Sequence, residues 1–235
     1  MTPSHPTNLV MIDAHDLGRH LACYGRNAVP SDTIDDLAAH GLRFTNAFCT
    51  APQCSPSRAS LYTGRHAHDV GVLGLTHPPF DWRLQPSHAH LAHHLKTAGW
   101  STHHVGVQHV VRDEPRYVRD LGFDSHEGSH APAATVASLA EARIMQARAP
   151  YFLNIGFEEP HRDAHGRYKT HPPHDTRGVT LPPYLPDTPA AREEMAELQG
   201  AIHAMDRAME RILAAIDARP DAHDTWIIFT TDHGL

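Results

Sequence analysis

Three short, nearly continuous apolar runs punctuate the chain, at 8–12 (NLVMI), 151–157 (YFLNIGF) and 226–230 (WIIFT), and 101–107 reads as a fourth strand. Apolar runs of this length without alternation suit strands buried on both faces of a parallel sheet. Each run ends in polar residues. Asp13, His15 and Asp16 follow 8–12, Gln108 and His109 follow 101–107, Glu158, Glu159 and His161 follow 151–157, and Asp232 and His233 follow 226–230. Between the strands the period changes to three or four. Ser31 caps a predicted helix that turns Ile34 and Leu37 inward and stops at Gly41. A second helix is predicted over 88–98, with Ser87 as cap, Leu91 and Leu95 on its apolar face and Gly99 as terminator, and a third over 135–148. Residues 193–218 carry Met195, Leu198, Ile202, Met205, Met209, Ile212 and Ile216 at helical spacing, a stripe that reads as core. The proline-rich stretch 172–189 reads as a surface loop over the site. No internal repeat is visible. Strands alternating with helices predict an α/β fold, a layered and mostly parallel sheet flanked by helices. Ligands in such sheets gather at the carboxyl ends of the strands, where all four polar groups fall.

Composition narrows the function. The chain has 235 residues and a formal charge of −7, from 20 basic and 27 acidic side chains. It shows no basic stripe and no helix-turn-helix or RNA-binding pattern, so nucleic acid is not an expected partner. The 23 histidines make its charge strongly pH-dependent below neutrality, and most read as solvated surface residues. Cys23, Cys49 and Cys54 are odd in number and lack framework spacing, which argues for a reducing compartment over a disulfide scaffold. The start, MTPSHPTN, has no basic region followed by an apolar run, and no stretch approaches the roughly 20 apolar residues that span a bilayer. The expectation is a soluble cytoplasmic protein without a membrane partner.

The most specific signal is 51–64, APQCSPSRASLYTG. Pro56 suits a first helical turn, 57–63 could follow as two turns, and Gly64 would end them. A thiol at a helix start beside an arginine has a lowered pKa, and the free N–H groups there, together with Arg58, suit sulfate or phosphate equally. A lone cysteine would read as a buried structural residue, but five specified positions argue against that here. Carboxylates gathered from 13–16 and 232 onto one sheet edge would repel one another unless a cation lay between them.

The C-x-P-S-R core of Cys54, Pro56, Ser57 and Arg58, trailed by Thr63 and Gly64, resembles the modification and active-site motif of the sulfatase family, with Gln53 as a departure. NLVMIDAHDLG resembles that family's opening strand and paired aspartates, with Asp16 in the second position and His15 in the first. FTTDHG resembles its later metal motif at Asp232 and His233, PH its substrate-contacting His161, and GVQH its GKWH element, with His109 kept and Val107 where a lysine is common.

The resemblance, from Asn8 to Gly234, implies an alkaline-phosphatase-like fold, 1–235 being the amino-terminal portion of a sulfatase catalytic domain and incomplete at the carboxyl end. It implies that a generating enzyme oxidises Cys54 to formylglycine. It also implies a divalent cation, calcium first and Mg²⁺, Mn²⁺ or Zn²⁺ otherwise, held by Asp16, Asp232, His233, position 54 and either His15 or Asp13. The hydrated aldehyde would attack sulfur while the cation and Arg58 hold the oxyanion, His161 acting as acid and His109 as base. Substrates would be sulfate esters of small molecules or saccharides. A phosphonate or phosphate ester hydrolase and an inactive fragment remain as alternatives.

Overall fold

The computed structural model describes residues 8–163, 165–168 and 171–234. Five strands form one parallel sheet: β1 (Asn8–Ala14), β2 (Ser101–Gly106), β3 (Ser125–Glu127), β4 (Tyr151–Gly156) and β5 (Thr225–Thr231), in the order β3-β2-β4-β1-β5. The four expected strands are present, each with an end shifted by a residue or two. The short edge strand β3 has no apolar run to announce it.

Among the described residues six α-helices cover the sheet: α1 (Asp32–His40), α2 (Cys54–Thr63), α3 (Leu91–Thr97), α4 (Pro115–Asp120), α5 (Ala133–Gln146) and α6 (Pro189–Asp217). Val10, Ile12, Leu153 and Ile155 point to one face, where α1, α5 and α6 pack, and the methionine and isoleucine stripe of α6 is buried there as core. Met11 and Phe152 point to the other face, under Ala59 and Tyr62 of α2, Ala92 of α3 and Val118 of α4. Alternate residues thus serve opposite layers, as a doubly covered sheet requires.

Helix ends differ from expectation where a cap is not local. Ser31 precedes α1, but its side chain makes no cap bond; Asp206 of α6 reaches across to accept from the N–H groups of Thr33 and Ile34. α3 begins three residues later than 88, because the His90 ring, not Ser87, accepts from the Ala92 N–H. α5 runs two residues earlier than 135–148 at each end. α6 begins at Pro189, with Thr188 as cap, since a proline costs nothing where the N–H has no helical partner. The 172–189 stretch is irregular up to Pro189, where α6 begins. Its described residues run along α6, where Gln199 donates to the His174 and Gly178 carbonyls, and reach α1 through the Arg177–Asp32 ion pair.

Candidate active site

All four polar groups converge beyond the carboxyl ends of β1, β2, β4 and β5. Two glycines let the outer pair meet. Gly18 has φ +55°, and a Cβ on it would lie 2.7 Å from the Gly234 Cα, so the loop after β1 touches the loop after β5 backbone to backbone. Gly18 N–H donates to the His233 carbonyl at 2.9 Å, and Asp16 N–H to Asp232 Oδ1 at 2.9 Å. Asp16 itself, at φ +58°, and His109, at φ +59°, sit in the left-handed region. For residues with a Cβ this costs on the order of 1 kcal/mol each, a strain that sites tolerate where the surroundings impose it.

Cys54 opens α2, which puts Pro56 in its first turn as expected. Gln53 is extended, and Pro56 is accommodated because first-turn N–H groups lack helical partners. The thiol therefore sits at the positive end of the ten-residue helix, which Gly64 closes in a left-handed cap. Cys54 Sγ lies 3.4 Å from His233 Nε2 and 3.7 Å from both His15 Nδ1 and Asp16 Oδ1. Burial works against its ionisation, but the hydrogen bonds from His15 and His233 lower its pKa overall.

Asp16 is the hub. Its Oδ1 is 3.0 Å from His15 Nδ1 and 3.0 Å from His233 Nε2, and its Oδ2 is 3.6 Å from His161 Nε2. Burial disfavours the carboxylate, yet these imidazoles hold its pKa well below the usual range. Burial likewise opposes a charged His15, but Asp16 and Cys54 push it up to about 9. His233, bonded to Asp16 and Cys54, is pushed up to about 11.

Arg58 is wholly buried, and its Nη2 has no hydrogen-bond partner among the described residues. Its Nε donates to Asp232 Oδ2 at 3.0 Å, and its Nη1 donates to Asp13 Oδ2 at 2.5 Å and to the Val107 carbonyl at 3.2 Å. Burial favours loss of its charge, but Asp13 and Asp232 hold the proton and raise its pKa. Asp13 takes a hydrogen bond from Tyr62 and another from Asn154 at 2.7 Å. Burial raises the Asp13 carboxyl and Arg58 pulls it back; with every donor aimed at its two oxygens, the geometry is that of a carboxylate. The structure thus places Asp13 behind the site as an anchor for Arg58, outside both metal-ligating groups. Sequence reasoning missed Tyr62 and Asn154 as its partners. A lone asparagine inside the apolar run of β4 was the available signal.

Among the described residues two groups offer close metal donors: His15, Asp16, Cys54 and His161, and Asp16, Cys54, Asp232 and His233. Their nitrogen, oxygen and sulfur donors fit a divalent cation, though not the oxygen-only shell that calcium prefers. His161 donates from Nδ1 to the Arg162 carbonyl at 2.5 Å, which leaves Nε2 facing the cluster, and its ring packs 4.4 Å from that of His15. His109 lies 5.4 Å from His15, ring to ring; burial pushes it down to about 3, so it is a neutral imidazole. It also lines a cavity of about 340 Å³ with His77, Val107, Arg112, Asp113 and His130. Val107 puts a buried apolar side chain where the resemblance implies a lysine. Glu158 and Glu159 stand back from the sulfur, Glu158 pairing with His130 and Glu159 holding His171 and the first N–H of α5.

These features can be set beside known proteins. Human N-sulphoglucosamine sulphohydrolase is 30% identical over 258 residues, covering 99% of this chain and 51% of that protein. A chain from Bacteroides thetaiotaomicron assigned to the sulfatases superposes with a TM-score of 0.76 at 20% identity, over 97% of this chain and 58% of that one. The phosphonate monoester hydrolase of Agrobacterium radiobacter superposes with a TM-score of 0.73 at 19% identity, over 97% and 62%. At such identities the two structures speak for the alkaline-phosphatase-like fold, and the chain spans about half the length of the human relative. The Sulfatase family profile matches residues 7–235, and the chain belongs to the sulfatase family.

Proposed function

We propose that the chain carries the nucleophile-bearing part of a sulfuric ester hydrolase that acts on a sulfated saccharide. The observation that supports this is the placement of Cys54, first residue of α2, with its sulfur against His15, Asp16 and His233. Oxidised to formylglycine by a generating enzyme, position 54 would supply one hydroxyl to attack sulfur and a second through which the aldehyde is restored. A divalent cation, for which Asp16, Asp232, His233 and His15 are the donors, would supply charge neutralisation for the sulfate oxygens. The imidazoles shift the preferred ion from Ca²⁺ toward Mn²⁺ or Zn²⁺.

The chain's own groups do the rest. The α2 amino terminus draws the anion to position 54. Arg58 acts from behind, fixing the Asp232 carboxylate by its Nε bond. His161, whose Nδ1 proton is committed to a carbonyl, carries a proton on Nε2 only as imidazolium, and gives it to the leaving oxygen. His109, neutral with Nδ1 unpartnered, accepts the proton of the second hydroxyl. The cavity beside His109 takes the leaving sugar. The human relative's name points to an amino sugar bearing an N-sulfate as the first substrate to try. Three free thiols support a reducing, cytoplasmic setting, and no described helix is long and apolar enough to cross a membrane.

His233 following Asp232 also fits a phosphonate ester hydrolase, so the test compares substrates. The chain, co-expressed with a formylglycine-generating enzyme, is assayed with an aryl sulfate, N-sulfated glucosamine and an aryl phosphonate, and the Cys54 peptide is weighed by mass spectrometry. An aldehyde at 54 and sulfate release that Cys54→Ala abolishes are expected. Faster phosphonate turnover would move the assignment to that class, and an unmodified Cys54 without turnover would leave an anion-binding fragment.

A further inference from the structure

The two metal-ligating groups share Asp16 and Cys54 but differ in their other members. The first adds His15 and His161, giving one thiol, two imidazoles and one carboxylate, with all four ligand atoms within 4.8 Å of one another. Within it, Sγ is 3.7 Å from His15 Nδ1 and from Asp16 Oδ1, and His15 Nδ1 is 3.0 Å from Asp16 Oδ1. With Zn–S bonds of about 2.3 Å and Zn–N or Zn–O bonds of about 2.0–2.1 Å, the edges of a zinc tetrahedron are about 3.3–3.6 Å. These three edges differ from those values by a few tenths of an ångström, and His161 Nε2 lies 3.6 Å from Asp16 Oδ2. Calcium wants six to eight oxygens, and this quartet supplies a single carboxylate. The His161 Nδ1 bond to the Arg162 carbonyl orients that ring as outer partners of zinc-bound histidines do.

We propose that, while position 54 is still a cysteine, His15, Asp16, Cys54 and His161 bind a zinc ion that shields the sulfur from oxidation and alkylation. The inference rests on the sulfatase reading in taking Cys54 as the position that conversion changes. As the S–Zn bond forms, the thiol proton leaves to solvent. Conversion replaces the sulfur by oxygen, which removes the softest donor and lowers zinc affinity. The unconverted chain is thereby held in a metal state unlike that of the mature site, because His161 is occupied as a ligand and cannot serve as acid.

The experiment uses the full chain expressed without a generating enzyme and stripped of metal. N-ethylmaleimide labelling is followed peptide by peptide, with exposed Cys49 as internal reference. Zinc is expected to slow labelling of Cys54 at least about tenfold relative to Cys49, whereas calcium does not, and His161→Asn, a change at a partly exposed residue, is expected to remove most of that protection. Cobalt in place of zinc should give a thiolate charge-transfer band that Cys54→Ser lacks, a readout on the wild-type fold. Equal labelling of Cys54 with and without zinc would overturn the inference. So would full protection in His161→Asn, which would put the ion between Asp232 and His233 instead. Aryl sulfate turnover by converted protein is a separate measurement, so failure of either leaves the other standing.

Discussion

Replacing Arg58 by methionine tests the buried frame behind the nucleophile. The guanidinium is inaccessible to solvent, and its loss leaves Asp13 and Asp232, also buried, without their common counter-ion. Asp13 would keep its bonds from Tyr62 and Asn154, and Asp232 those from the Asp16 and His233 backbone N–H groups. Those four neutral donors soften the loss without supplying charge, and His15, 3.4 Å from Asp232 Oδ2, supplies charge to Asp232 only, leaving Asp13 without a cation. Breaking a buried pair from one side costs about 3–5 kcal/mol. For a domain of this size each kcal/mol corresponds to roughly 2–4 °C, so a fall in Tm of about 6–20 °C is expected. Urea unfolding followed by circular dichroism gives the free energy directly. Adding Asp13→Leu to Arg58→Met should recover part of the loss, because an apolar replacement of both partners leaves fewer buried charges uncompensated. A loss below about 1 kcal/mol for Arg58→Met would refute the reasoning, since a surface ion pair is worth that little.

Two further outcomes follow from the same frame and its edge. In metal-free protein His15 is raised from 6.5 to about 9, so its contribution to stability is complete below about pH 6.5 and lost as pH rises through 9; His90, lowered by burial to about 3, acts in the opposite sense, since the unfolded chain binds its proton below pH 6.5. Urea midpoints of chelated protein should fall as pH rises from about 6.5 to 9 and again as pH drops from about 6.5 toward 3, and a midpoint rising steadily to pH 10 would count against the His15 environment. At the open edge of the sheet Trp226 and Ile228 of β5 are 67% and 40% exposed, beside a cavity of about 610 Å³ lined by Phe44 and Phe48. The 235-residue polypeptide is expected to self-associate in sedimentation runs and Ile228→Lys to shift it toward monomer; identical behaviour of the two would exclude β5 as the contact.

What the sequence made legible was what chemistry and local pattern fix together. Asp16, Asp232 and His233 were readable because each follows an apolar run, and the carboxyl ends of parallel strands lie on one side of a sheet whatever the strand order. Cys54 was readable because proline, arginine and glycine at set distances describe a helix start and stop. Roles that depend on depth were not. The letter R at 58 says that a cation is present, but only the packed structure shows Arg58 sealed between Asp13 and Asp232, with the Val107 carbonyl as a third partner. Of the two candidates left open, Asp13 has its oxygens on Arg58, Tyr62 and Asn154, while His15 stands in a group of close metal donors. β3 escaped notice because three residues, Ser-His-Glu, carry no periodicity, and the α1 cap because Asp206 lies 172 residues from Ile34. One close approach in the site is of that kind too. Gly18 and Gly234 each look like ordinary turn glycines, yet a side chain on Gly18 would force apart the loops that bring Asp16 to Asp232 and His233.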